Sequence, residues 1–228
     1  MKAAIVAGGR VEDAFVCAYL DREAYDLVIA VDRGLEFFYR SHRRPDHVTG
    51  DFDSVDEAVL QFFRRQAAAE QKPQFTALNP QKDDTDTEHA LRMALEQGCE
   101  TVHLFGATGS RLDHVLGNLQ LLGLGLRAGA ECVMLDCCNR VRLIDKAICL
   151  KKQEQFGAYV SLIPYTPRVT GLTLEGFAYP LNRHTMSSFY LPQAAQVSGI
   201  SNEIVAETAR IAFEDGILVL IESKDETG

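Results

Sequence analysis

The chain has 228 residues, of which 46% are hydrophobic and 24% charged, and a formal net charge of −9. This is ordinary globular composition with enough chain for one or two cores, which excludes a mostly disordered, collagen-like or coiled-coil protein. The acidic balance argues against nucleic acid as the main partner, because that binding neutralises phosphates with Lys and Arg, and it also disfavours anionic membranes.

The first elements alternate. Ala3–Ala7 reads as a core strand ending at Gly8-Gly9, and it is too short and too soon interrupted for a signal peptide. Glu12–Leu20 follows as a helix, Leu27–Val31 as a buried strand ending at Asp32, and Leu35–Arg40 as a helix. His47–Thr49 leads into Gly50-Asp51-Phe52-Asp53-Ser54. Asp56–Ala69 is a helix with Val59, Leu60, Phe62 and Phe63 on its apolar side. Thr76–Leu78 is a short strand, Thr85–Gln97 a helix and Thr101–Phe105 a strand closed by Gly106. Leu112–Arg127 is a helix with Val115, Leu116, Leu119, Leu122 and Leu126 toward the core, and Glu131–Asp136 a further strand. Short apolar strands separated by helices imply a mostly parallel sheet covered on both faces, with ligands bound where the strands end.

The pattern changes near Asp145. Ala158–Pro164, Val169–Leu174, Ser188–Leu191, Ile204–Ala209, Ile211–Phe213 and Ile217–Ile221 read as β segments, with Glu214-Asp215-Gly216 as a hairpin turn between the last two. The expected architecture is therefore an α/β domain over residues 1–145 and an all-β sandwich or barrel over 146–228. No run is apolar for long enough to span a bilayer. The cysteines, Cys17, Cys99, Cys132, Cys137, Cys138 and Cys149, show no CxxC spacing and read as reduced thiols of a cytoplasmic protein.

Three segments carry chemistry. In Gly50-Asp51-Phe52-Asp53-Ser54 an extended chain would put both carboxylates on one side, about 7 Å apart, where a hard cation can sit; an Asx-rich turn is the competing reading. In Lys82-Asp83-Asp84-Thr85-Asp86-Thr87-Glu88 the T-x-x-E spacing is a capping box. The crowding of Asp83, Asp84 and Asp86 beside it exceeds what a helix start needs and points to a cation. Gly106-Ala107-Thr108-Gly109-Ser110-Arg111-Leu112-Asp113-His114 joins a strand to a helix, with Ser110 as expected N-cap; its glycines and helix start suit an anion, and Arg111 could clamp a phosphate. Gly8-Gly9-Arg10 and Asp32 are weaker candidates for phosphate and ribose or base contacts. Gly199-Ile200-Ser201-Asn202-Glu203 reads as a polar turn.

These motifs, in this order, resemble the thiamine pyrophosphokinases (thiamine diphosphokinases). The resemblance covers nearly the whole chain and rests on the three segments above together with Ile200-Ser201-Asn202-Glu203. It implies pyrophosphoryl transfer from ATP to thiamine, giving thiamine diphosphate and AMP, by a homodimer whose second domain helps bind thiamine. It implies Asp51, Asp53 and Asp86 as Mg²⁺ ligands, and Asp83 and Lys82 as polar neighbours of the transferred phosphates or the thiamine. Asp83 or Asp86 is the implied acceptor of the hydroxyl proton. Gly9, Asp32, Thr108, Gly109, Arg111 and Asp113 are implied to hold ATP, with Arg111 also offsetting developing charge, and Ser201 and Asn202 to contact the thiamine pyrimidine. The chain departs from many relatives in placing Arg33 between Asp32 and Gly34, and from some in having no Trp to stack on thiamine. The alternatives are a Mg²⁺-dependent kinase for another alcohol, which would yield ADP, and a nucleotide or thiamine sensor without turnover.

Overall fold

The computed structural model describes residues 1–78, 84–189 and 199–226. It divides into two compact units, Met1–Cys137 and Cys138–Gly228.

The first unit runs β1 (Lys2–Val6), α1 (Asp13–Arg22), β2 (Leu27–Val31), α2 (Gly34–Arg40), β3 (His47–Gly50), α3 (Glu57–Glu70), β4 (Gln74–Ala77), α4 (Asp86–Glu96), β5 (Thr101–Phe105), α5 (Leu112–Ala128) and β6 (Glu131–Leu135). Its strands are all parallel in the order β4-β3-β2-β1-β5-β6. Ala3, Ala4, Ile5 and Val6 are wholly buried at the centre, as a strand covered on both faces must be. Strand order reverses at β1. Right-handed crossovers before and after that point lay their helices on opposite faces; α2 packs with α3, and α4 with α5.

The helix starts test the local chemistry. Asp56 caps α3, its Oδ1 accepting from the Ala58 and Val59 amides at 2.8 and 3.2 Å. Thr85 caps α4 by accepting from the Glu88 amide at 3.1 Å. Only half of the expected capping box forms, because Glu88 turns along the helix to pair with Arg92. Helix α5 begins at Leu112 as expected, but Arg111 rather than Ser110 stands at its N-cap, and no side chain caps it. Its apolar stripe is only partly core: Leu122 is buried, whereas Leu112 and Leu116 are exposed. Phe62 of α3, expected inside with Phe63, is turned outward with its ring 5.1 Å from that of Tyr39 on α2.

His103 of β5 sits among the rings of Tyr19, Tyr25 and Phe105. Its Nδ1 is 2.5 Å from the Tyr25 hydroxyl. Burial, helped by the Lys2 charge, lowers its pKa from 6.5 to about 4, so the ring is neutral and shares a hydrogen bond with the Tyr25 hydroxyl. The folded pKa lies below the unfolded one. Its contribution to stability is therefore complete above pH 6.5 and is lost as pH falls toward 4. In urea titrations the parent should lose about 2 kcal/mol more than His103→Gln between pH 7 and pH 4.5. Equal losses in the two proteins would show that His103 does not carry this dependence.

The second unit contains β7 (Asn139–Ile144), β8 (Ile148–Lys151), β9 (Tyr159–Pro164), β10 (Arg168–Glu175), β11 (Leu181–Ser187), β12 (Thr208–Ala212) and β13 (Leu218–Ser223). Within it, β7, β13 and β9 pair antiparallel in that order. The strands β11-β10-β12-β8 form a separate antiparallel sheet. Leu162, Leu218 and Leu220 from one sheet share a core with Leu150, Leu172 and Ile211 from the other, which makes this unit a sandwich.

Two expectations change here. The units divide at Cys137/Cys138 rather than at 145/146, because Asn139–Ile144 is a strand paired with β13. The Glu214-Asp215-Gly216 segment is not a hairpin: β12 and β13 belong to different sheets. The Glu214 amide and Asp215 carbonyl bond instead to Thr170 of β10, and Gly216, at φ +105°, redirects the chain from one sheet to the other. The Ser188–Leu191 segment lies partly outside the described residues. No helix among the described residues is long and apolar enough to cross a membrane.

Candidate active site

Parallel register brings the ends of neighbouring strands together. Val31 of β2 pairs with Thr49 of β3, so Asp32 follows one strand beside Gly50-Asp51 on the next. Asp86 opens α4 immediately after the Thr85 cap. Carboxylate oxygens of Asp32, Asp51 and Asp86 all lie within 4.8 Å of one another.

The backbone is bent to allow this. Asp32 has φ +46° and Phe52 φ +65°, conformations that non-glycine residues adopt at a cost when the surroundings hold them there. Gly50 has φ +147°, and a Cβ there would lie 1.7 Å from Asp32 Oδ1. The missing side chain at Gly50 is thus the space into which the Asp32 carboxylate fits.

Burial, then the Asp86 charge and hydrogen bond, and more weakly the Asp51 charge, push the Asp32 carboxyl up to about 7, against a lowering from the Phe52 amide. Asp32 Oδ1 is buried without a hydrogen-bond partner. Three converging carboxylates, one with an orphaned oxygen, form a hard, anionic donor set of the kind that suits Mg²⁺.

This differs from the set expected in sequence, Asp51, Asp53 and Asp86. Asp32, expected at the nucleotide, joins the cluster, while Asp53 stands outside it. The reason is conformational: two carboxylates at i and i+2 share a side only on an extended chain, and the positive φ of Phe52 breaks that. Asp53 is exposed, its amide donates to Asp51 Oδ1 at 3.1 Å, and the Asp51 charge raises its pKa. The signal for Asp32 was present as an acid directly after a strand; what was missing was the adjacency of β2 and β3.

The loops after β1 and β5 are laced together. The Gly9 amide donates to the Gly106 carbonyl at 2.9 Å and the Arg10 amide to the Thr108 carbonyl at 2.7 Å. A Cβ on Gly9 would lie 2.2 Å from the Thr108 carbonyl oxygen, so this close approach requires glycine. The Thr108 hydroxyl donates to Asp136 at 2.9 Å, and the Asn118 amide to the Ala107 carbonyl. Gly109 follows in the same loop, and a Cβ on it would lie 3.4 Å from the Arg10 amide. Arg111 and Asp113, expected at nucleotide and diphosphate, make an exposed two-pronged ion pair with each other, which lowers the Asp113 pKa to about 2. Lys82 and Asp83 lie outside the described residues.

In the second unit Ser201 has φ +57°, and its amide donates to the buried Ser161 hydroxyl at 3.0 Å. Asn202 is buried. Its Oδ1 accepts from the Tyr179 and Glu203 amides, and its Nδ2 donates to the Tyr179 carbonyl. The side chain that sequence reading assigned to a ligand is turned inward to hold the chain.

Fold and cluster together define a class: an α/β unit with a carboxylate site at the strand-end edge of its parallel sheet, followed in the chain by a β-sandwich. Residues 21–134 match the family model described as thiamin pyrophosphokinase, catalytic domain, and residues 146–218 match the thiamin pyrophosphokinase vitamin B1 binding domain. A curated relative, thiamine pyrophosphokinase of Bacillus subtilis (strain 168), is 32% identical over 97% of this chain and 98% of its own length. Among solved structures, thiamine pyrophosphokinase from B. subtilis superimposes with a TM-score of 0.83 at 33% identity, covering 99% of this chain and 100% of that one. Thiamin pyrophosphokinase from Geobacillus thermodenitrificans gives 0.80 at 31%, covering 100% and 99%. The chain belongs to the thiamin pyrophosphokinase family.

Proposed function

We propose that this protein is a thiamine diphosphokinase, transferring the pyrophosphoryl group of ATP to the hydroxyl of thiamine and releasing AMP. Family membership carries the reaction; the convergence of Asp32, Asp51 and Asp86 carries the site. These three residues would hold Mg²⁺, with Asp53 beside them as an outer carboxylate. Bound there, the ion supplies charge neutralisation on the polyphosphate.

The rest falls to the chain's own groups. The glycine-laced loop of Gly9 and residues 106–109 offers close backbone approach to a phosphate. Arg111 exchanges its Asp113 partner for a phosphate oxygen, and its charge then stabilises negative charge that develops as the thiamine oxygen attacks the β-phosphorus in line. Asp86, committed to the cation cluster, is a poor base for the hydroxyl proton. The second unit contributes thiamine contacts, and the working form is a cytoplasmic homodimer. Light scattering of the purified protein tests the dimer. AMP rather than ADP as the nucleotide product, dependent on both thiamine and Mg²⁺, tests the reaction.

The cluster predicts a separate stability result. Saturating Mg²⁺ should raise the melting temperature by about 2–5 °C, and EDTA should reverse it. Asp32→Asn should make the metal-free protein more stable, by about 0.5–2 kcal/mol, because it removes a buried charge facing two others, and Asn tolerates the positive φ. The same variant should lose the Mg²⁺ shift. A destabilised Asp32→Asn that still responds to Mg²⁺ would contradict this site.

A further inference from the structure

One other group of three metal-ligating side chains converges among the described residues. A carboxylate oxygen of Asp136 and the sulfurs of Cys137 and Cys138 all lie within 4.8 Å of one another. Being neighbours in sequence does not by itself achieve this, because successive side chains of an extended chain point to opposite faces. Here the chain bends at Cys137-Cys138, directly after β6 ends at Leu135, and the bend gathers the three donors. Neither cysteine is in a disulfide, and all three residues are half-buried, so the donors are held by the fold and still reached from solvent.

The carboxylate is oriented from outside the group. Leu135 pairs with Phe105 in the parallel register of β6 and β5, which sets Asp136 beside the loop that begins at Gly106. From that loop the Thr108 hydroxyl donates to Asp136 Oδ2 at 2.9 Å. A carboxylate has two oxygens, so one can hold Thr108 while the other faces an ion. Hydrogen-bonded carboxylates of this kind are how metal ligands are aimed. The remaining cysteines lack the setting. Cys99 and Cys132 are buried, and burial pushes the Cys132 thiol up to about 12. Cys17 and Cys149 belong to no such group of donors among the described residues.

We infer that Asp136, Cys137 and Cys138 form a binding site for one thiophilic divalent cation of the zinc class, separate from the carboxylates that suit Mg²⁺. Two sulfurs and one oxygen are a soft-to-borderline donor set. It suits Zn²⁺ or Cd²⁺ and not Mg²⁺, which takes oxygen ligands in octahedral array. Three protein ligands leave a fourth tetrahedral position for water. Each thiol gives its proton to solvent as its sulfur–metal bond forms, so the ion replaces two protons and no electrons move. The site stands on its own residues and does not depend on the reaction assigned above.

The test uses the full, reduced chain with Mg²⁺ in excess, so that hard carboxylate sites are filled. Titration with Cd²⁺ should give the ultraviolet thiolate-to-metal charge-transfer band, saturating at one ion per chain, and Zn²⁺ should displace it. The double variant Cys137→Ser/Cys138→Ser should lose the band, whereas Cys149→Ser should keep it. By calorimetry, either single serine variant should weaken Zn²⁺ binding by about 100-fold or more, and Thr108→Val, which removes only the hydrogen bond to Asp136, by about 10-fold. The parent gives a second readout that needs no variant: Zn²⁺ should protect Cys137 and Cys138 from iodoacetamide, read by mass spectrometry, and leave Cys149 reactive. A parent without a saturable one-to-one band, a double serine variant that retains it, or alkylation of Cys137 and Cys138 indifferent to Zn²⁺ would each overturn the site. A Thr108→Val protein with parental affinity would overturn the orientation argued for Asp136.

Discussion

Asp51→Asn and Asp86→Asn should each slow AMP release from ATP and thiamine by at least about 100-fold, while circular dichroism and the melting temperature show a folded protein. The loss is large because a polyphosphate's charge must be offset while the thiamine oxygen approaches, and each of these carboxylates supplies one of the three oxygens that converge within 4.8 Å. The fold survives because replacing one of several crowded carboxylates by an amide of the same shape relieves repulsion rather than opening a cavity. Asp53→Asn should be milder, about 10-fold or less, because Asp53 is exposed and outside the converging group. Equal and severe losses at Asp53 and Asp51, with little effect at Asp32, would restore the set expected from spacing and refute the one built from the fold.

Gly50→Ala should be nearly as damaging although it removes no functional group. The added methyl would lie 1.7 Å from Asp32 Oδ1 at a backbone φ of +147° that Ala resists. Either the Asp32 carboxylate leaves the cluster or the end of β3 moves, and both separate Asp32 from Asp51. We expect turnover to fall by about 100-fold or more, the Mg²⁺-induced rise in melting temperature to vanish, and stability to drop by about 1–3 kcal/mol. A Gly50→Ala protein with normal turnover and a normal Mg²⁺ response would show that Asp32 is dispensable to the site.

Much of the fold was legible because it is written locally. Continuous apolar runs such as Ala3–Val6 and Leu27–Val31 have to be strands buried on both faces, and Asp56 and Thr85 announce helix starts by chemistry that needs no distant partner. The second unit was harder. Asn139–Ile144 carries Arg140 and Arg142 among its apolar residues, and these charges are tolerated because Glu222, buried on β13, takes both prongs of Arg140 with Arg142 Nη2 3.7 Å away. A partner 82 positions along the chain cannot be read from the segment itself. The supposed hairpin at Glu214-Asp215-Gly216 failed for a related reason: a turn signal states that the chain bends, and only the pairing partners decide whether the two flanking strands meet.

The order of motifs fixed the family, and with it the kind of reaction, because short acidic and glycine-rich segments keep their chemistry wherever the chain takes them. The membership of the carboxylate cluster was settled by tertiary structure, since Asp32 reaches Asp51 only because β2 and β3 lie in register, and Asp53 turns away only because Phe52 adopts a positive φ. Distance between side chains is a property of paired strands and backbone angles, and neither is encoded in spacing along a sequence.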